Sequence, residues 1–167
     1  MTVPSRPVAS TVIETDWGQA IHDYVFAPAG CRVSGGNVAM LTASASRVLP
    51  IDTALDDPGG WADLAGNRLV VPTDKAGLYL MSLLAEEVNC PDTAEVRVYL
   101  QVNGANAARV TAGGEGSTNI PIAANIQQLL VAGDIIVVQA KQIGTGTLAS
   151  VQIAALAVTR LGDTWGA

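Results

Sequence analysis

Charge is scarce in this chain. Asp, Glu, Lys and Arg together make up 14% of its 167 residues, against about 25% in a typical globular domain. The nine cations are spread singly, and the net charge is −6. With no basic cluster, a nucleic-acid partner is not expected. There is one histidine, His22, so a Ser-His-Asp or Cys-His catalytic arrangement would have to be built on it alone. No enzymatic activity is expected. His22, Cys31 and Cys90 lack the spacing of a zinc site. No cofactor or metal site is expected either.

Two cysteines are too few for a disulfide-stapled secreted scaffold. Either one bridge or two buried thiols would fit, and the thiols fit better. No run approaches the ~18 apolar residues of a membrane span, so no membrane partner is expected. Met1 to Ser10 contains two prolines and no apolar h-region, which argues against a signal peptide. A start near residue 1 in a cytoplasm is the expectation.

What the chain does have is apolar surface. Hydrophobic residues reach 49%, inflated in part by small Ala. So little polar surface cannot comfortably cover a small domain, which points to burial against other subunits. The length fits one domain with an appended arm. Residues 1–46 are read as arm, short helix and linker, and 47–167 as an all-β sandwich. Pro4 and Pro7 disfavour helix at the start. Asp16 can cap a helix, with Gln19 completing a capping box. Trp17, Ile21, Tyr24 and Val25 then share one face of it, a stripe suited to anchoring the domain to a scaffold.

From Arg47 onward the pattern is β. Val96, Val98, Leu100 and Val102 alternate with Glu95, Arg97, Tyr99 and Gln101, the mark of a half-buried antiparallel strand. Asn103-Gly104 follows at once, a strong short hairpin signal. Gly133-Asp134 sits in a tight turn between two apolar strands, where φ > 0 is expected of the glycine. Gly77 is likewise read as a backbone requirement. The last strand, Ala149 to Leu161, is apolar on both faces until Arg160. A strand covered on both faces needs a second partner beyond its own sandwich. Val151, Ile153, Ala155, Leu156 and Val158 are therefore the expected interface of a homo-oligomer.

Other features read more plainly. Asp56-Asp57 before Pro58-Gly59 could place oxygens around calcium, but such residues more often form turns. Gly113-Gly114-Glu115-Gly116 lacks the Lys and helix of a phosphate loop. Glu86 and Glu87 point to opposite faces of a strand, and both are expected to be solvated strand-end charges. Trp61 is expected to be buried.

Several of these segments together resemble a known family. Trp61 to Pro72 is an aromatic, a turn with Gly66, and a short strand ending in Pro. Gly77-Leu78-Tyr79-Leu80 is similar to a Gly-x-Tyr strand. Val98 to Gly104 is similar to the central strand with its hairpin. Leu130-Val-Ala-Gly133-Asp134 is similar to a Leu-x-x-Gly-Asp turn, and Ile153 to Leu161 to a closing strand. The set resembles the C1q/TNF-like jelly roll, over roughly Arg47 to Leu161. Leu80 stands where Phe is common, and no collagen-like stalk precedes the domain.

The resemblance implies a homotrimer and a binding or architectural role. A jelly roll behind a short N-terminal anchor is similar to small structural proteins of tailed bacteriophages. That implies a non-enzymatic virion protein, assembled in the host cytoplasm. The expected role is head decoration, with the major capsid protein or another virion protein as partner. The alternative is a minor tail or tail-tip adhesin that binds a receptor or host-surface glycan.

Overall fold

The computed structural model describes residues 30–40, 45–88, 94–113, 120–144 and 149–162. The expected helix over residues 16–25, with Trp17, Ile21, Tyr24 and Val25, lies outside them, as does Cys90. Among the described residues the secondary structure is strand alone.

Eleven strands follow one another: β1 Gly30–Ala39, β2 Ser46–Val48, β3 Thr53–Asp56, β4 Ala62–Asp63, β5 Arg68–Val70 and β6 Gly77–Val88 come first. Then come β7 Ala94–Val102, β8 Ala105–Gly113, β9 Ile120–Leu130, β10 Ile135–Gly144 and β11 Ser150–Gly162. They form two sheets. The first has the order β3-β1-β11-β6-β9, and the second β4-β5-β10-β7-β8, with β2 also paired to β10. All pairings are antiparallel. Consecutive strands β6 and β7, β8 and β9, and β10 and β11 lie in different sheets. This is the jelly-roll β-sandwich that the sequence led us to expect.

β1 lies between β3 and β11, so the sandwich includes residues well before 47. The Gly-, Ser- and Ala-rich stretch from Cys31 to Ala45 reads in the sequence as a short strand or a linker, because its small residues carry few signals; its first part is strand β1. At Gly35 a side chain would have no room. A Cβ there would sit 1.7 Å from the carbonyl oxygen of Pro50, and β1 is irregular on both sides of that glycine.

The core is made by the inward half of each alternation. In β7, Val96, Val98 and Leu100 are buried while Glu95, Arg97 and Tyr99 are half-exposed. Opposite them lie Met81, Leu83 and Ala85 of β6, and Val151, Ile153, Leu156 and Val158 of β11. Trp61 is buried and meets Tyr79 edge to face, with ring centroids 5.1 Å apart. The Tyr79 hydroxyl donates to the Lys75 carbonyl at 2.6 Å, which satisfies its polar end. With one Phe in the whole chain, aliphatic side chains fill most of the remaining volume.

Candidate functional site

No cluster of three or more His, Cys, Asp or Glu side chains suited to a metal occurs among the described residues. Asp57 acts as a turn former: its carboxylate accepts from the backbone N–H of Trp61 at 2.7 Å and of Ala62 at 3.0 Å. Cys31 is a buried free thiol, and burial pushes it up to about 12, so it is unreactive at neutral pH. Among the described residues no helix is long and apolar enough to cross a membrane. The surfaces left to consider are the two outer sheet faces and the turns at the ends.

The expected turns come together at one end. Asn103 and Gly104 both have positive φ, 51° and 78°, as a two-residue primed hairpin turn requires. Gly133 has φ 84°. Asn103 Nδ2 donates to Asp134 Oδ1 at 2.7 Å, and Asn103 Oδ1 accepts from the Ile135 N–H at 2.9 Å. Asp134 Oδ2 accepts from the Val131 N–H at 2.8 Å. Two turns thirty residues apart in sequence thus hold one another. Gly77 is different. It is buried in regular pairing with Leu130, and its φ is not positive, so turn geometry does not require a glycine there.

The expected interface residues divide by face. Val151, Ile153, Leu156 and Val158 are at most 1% exposed and lie in the chain's own core. They have no surface left to give a neighbouring subunit. The reason is an irregularity in β11. Ile153 pairs with Ala85, yet Ala155 pairs with Leu84. Ala154 is the extra residue of a β-bulge, and a bulge exchanges the faces of everything beyond it. Leu156 and Val158 therefore join Val151 and Ile153 inside. Only Ala155 of the expected set faces outward, with Ala157 and Thr159.

These belong to a larger outward face on the first sheet. β6 contributes Leu78, Leu80, Ser82 and Leu84, flanked by β11 on one side and β9 on the other. Leu84 stands between Ala155 and Ala123, and Leu78 beside Leu129. Leu84 and Leu129 are 41% and 51% exposed. At the far end Gln152 donates to Glu86 at 2.5 Å. The face is mixed: Leu78, Leu80, Leu84, Ala123, Leu129, Ala155 and Ala157 stand among Ser82, Asn125, Gln127, Thr159 and Arg32, the last directly opposite Ala157.

The outer face of the second sheet carries a polar patch, with half-buried Ile135, Val137 and Ile143 also outward on β10. Lys141, Arg97 and Thr111 lie side by side on β10, β7 and β8, and Gln139, Tyr99 and Arg109 form the adjacent row. Arg97 pairs with Glu95. Its guanidinium is held above its ordinary value by that hydrogen-bonded carboxylate, and further by Tyr99.

One carboxylate sits where sequence reasoning did not place it. Glu87 is fully buried, and neither of its oxygens has a hydrogen-bond partner. Burial raises its carboxyl from 4.5 to about 7. A strand end was expected to be solvated, but Glu87 takes the inward position of its alternation, as Met81, Leu83 and Ala85 do. Its pairing with Val151 and Ile120 is legible only once three distant strands are assembled.

The globular domain of zebrafish complement 1qA superposes on this chain with a TM-score of 0.57 at 10% identity. The match covers 82% of this chain and 99% of that one. The fold is C1q/TNF-like. A TNF-type protein from S. frugiperda, Eiger, gives a TM-score of 0.49 at 16% identity, covering 83% and 96% of the two chains. No protein-family model and no curated protein sequence matches the chain. At such identity the likeness fixes the C1q/TNF-like architecture and nothing finer.

Proposed function

We propose that this chain is a non-enzymatic structural protein, a trimeric jelly-roll knob attached to a bacteriophage particle as head decoration. The observation that carries the architectural reading is the set of apolar side chains on the outer face of the first sheet, Leu78, Leu80, Leu84, Ala155, Ala157 and Leu129, with Leu84 and Leu129 markedly exposed. In a monomer this face would meet water. Covered by two more copies it supplies the kind of surface that obligate interfaces bury, on the order of 2,000–5,000 Å². The same fold in complement 1qA is one half of the support. The other is the sequence layout of a short Pro-containing arm ahead of the sandwich.

The partners in this reading are two further copies and a capsid or other virion protein, contacted through the residues ahead of β1. A subunit that binds only the assembled shell stabilises that shell by mass action. The location is the virion.

Light scattering with an Ala155→Asp variant tests the trimer, since Ala155 stands opposite Leu84. The wild type gives three times the chain mass at micromolar concentration, and the variant falls towards one, because a desolvated charge opposes closure. A monomeric wild type refutes the trimer. Deleting residues 1–27 tests the anchor. The truncated protein stays a folded trimer but no longer decorates particles. Imaging that finds no copy on intact particles refutes the virion role.

A further inference from the structure

We propose that the outer face of the second sheet, centred on Tyr99, is a binding surface for an acidic polysaccharide, one bearing carboxylate or sulfate groups. Acids outnumber cations 15 to nine in this chain, yet this face reverses the balance. Arg97, Arg109 and Lys141 share it, with Glu95 as the paired acid. Lys141 stands directly opposite Arg97 across β10 and β7. Like charges so placed disfavour sheet pairing. Among the described residues neither Lys141 nor Arg109 has an ion-pair partner. Solubility alone would be served by either sign of charge, so a local excess of the rarer sign, placed against itself, calls for an external anion.

The neighbouring groups favour a sugar over a protein. Tyr99 lies between Gln139 and Arg109. Beside them are Thr111 and Gln101, whose amide reaches Asn106 at 2.9 Å. An aromatic side chain ringed by amides, a hydroxyl and guanidinium groups offers stacking and hydrogen bonds to a hydroxyl-rich ligand, with charge to hold its acidic substituents. A protein interface is built around a fully buried apolar core. Val48, opposite Gln139, is the one large apolar residue of this face with marked exposure, and it lies at the margin. Each charged contact to a polyanion releases counterions, so the binding is salt-sensitive.

The sequence does not show this surface directly. A strict two-residue hairpin at Asn103-Gly104 would set Ala108 beside Tyr99. A register shift between Leu100 and Gln101 instead brings Arg109 there.

The test uses the full chain at 50 mM NaCl with fluorescently labelled heparin, polygalacturonate, neutral dextran and polyglutamate. Heparin and polygalacturonate bind, dextran does not, and polyglutamate binds at least tenfold more weakly than either acidic sugar. The double variant Arg109→Gln/Lys141→Gln keeps the wild-type melting temperature and loses at least tenfold in affinity. Arg32→Gln, an exposed cation of the other sheet, changes affinity less than twofold. Failure of both acidic sugars to bind overturns the proposal, as does a double variant that binds like the wild type. Equal binding of polyglutamate overturns the sugar assignment. These outcomes do not depend on the virion reading, since they are measured on the isolated protein.

Discussion

Glu87→Gln should make this protein more stable at pH 8 and leave it nearly unchanged at pH 4.5. The carboxyl of Glu87 is fully buried and unpartnered, and burial raises it from 4.5 to about 7. Below about pH 4.5 both the folded and the unfolded chain carry the proton, so the group costs nothing extra. Between 4.5 and about 7 the unfolded chain releases its proton while the folded one holds it, and stability falls as pH rises. Above about 7 the folded chain ionises too and the loss levels off. At ~1.4 kcal/mol per tenfold change in acidity the full loss is up to ~3 kcal/mol.

Gln keeps the shape and cannot ionise, so the variant lacks this slope. For a chain of this size ~3 kcal/mol corresponds to roughly 6–12 °C in Tm. The assay is thermal unfolding of both proteins at equal concentration, at half-unit steps from pH 4.5 to 8. Asp63 and Asp74 do not confuse the comparison. Hydrogen bonds from Arg68 and Lys75 hold them below the usual carboxylate range, so they stay ionised throughout, and their effects are common to both proteins. Parallel Tm profiles for wild type and Glu87→Gln across the whole range would refute the reasoning.

Other outcomes follow from the turns and the core. Asn103→Ala removes two side-chain hydrogen bonds between turns and forces Ala into positive φ; urea unfolding should show a loss of about 1–3 kcal/mol. Gly133→Val places a β-branched residue at φ 84° and should lower the melting temperature by a similar free energy, whereas Gly77→Ala should be tolerated better as regards backbone conformation. Leu156→Ala should cost about 2–5 kcal/mol by cavity formation with trimer mass retained, while Ala155→Asp should act on subunit mass first. The opposite ranking would show that β11 presents its other face to the core.

Much of the fold was legible in the residues. The alternation of Val96 to Val102, the hairpin at Asn103-Gly104, the Gly133-Asp134 turn and the burial of Trp61 all follow from rules acting over a few neighbours. The hydrophobic excess led to the expectation of a surface covered by a partner. Which apolar residues face outward was not legible. Val151 to Val158 offers apolar residues at almost every position, so a one-residue bulge leaves no trace in its pattern. Only pairing with β6 shows that Ala154 is the extra residue and that Leu156 and Val158 turn inward.

The sequence by itself determined the β class and the turns, because these depend on local propensity. Tertiary structure alone decided which face of each strand meets water. It buried Glu87 against Val151 and Ile120, and it drew Lys141, Arg97 and Arg109 onto one face. These are properties of register between strands far apart in the chain. With a side-chain period of two, a single-residue slip reverses every assignment beyond it.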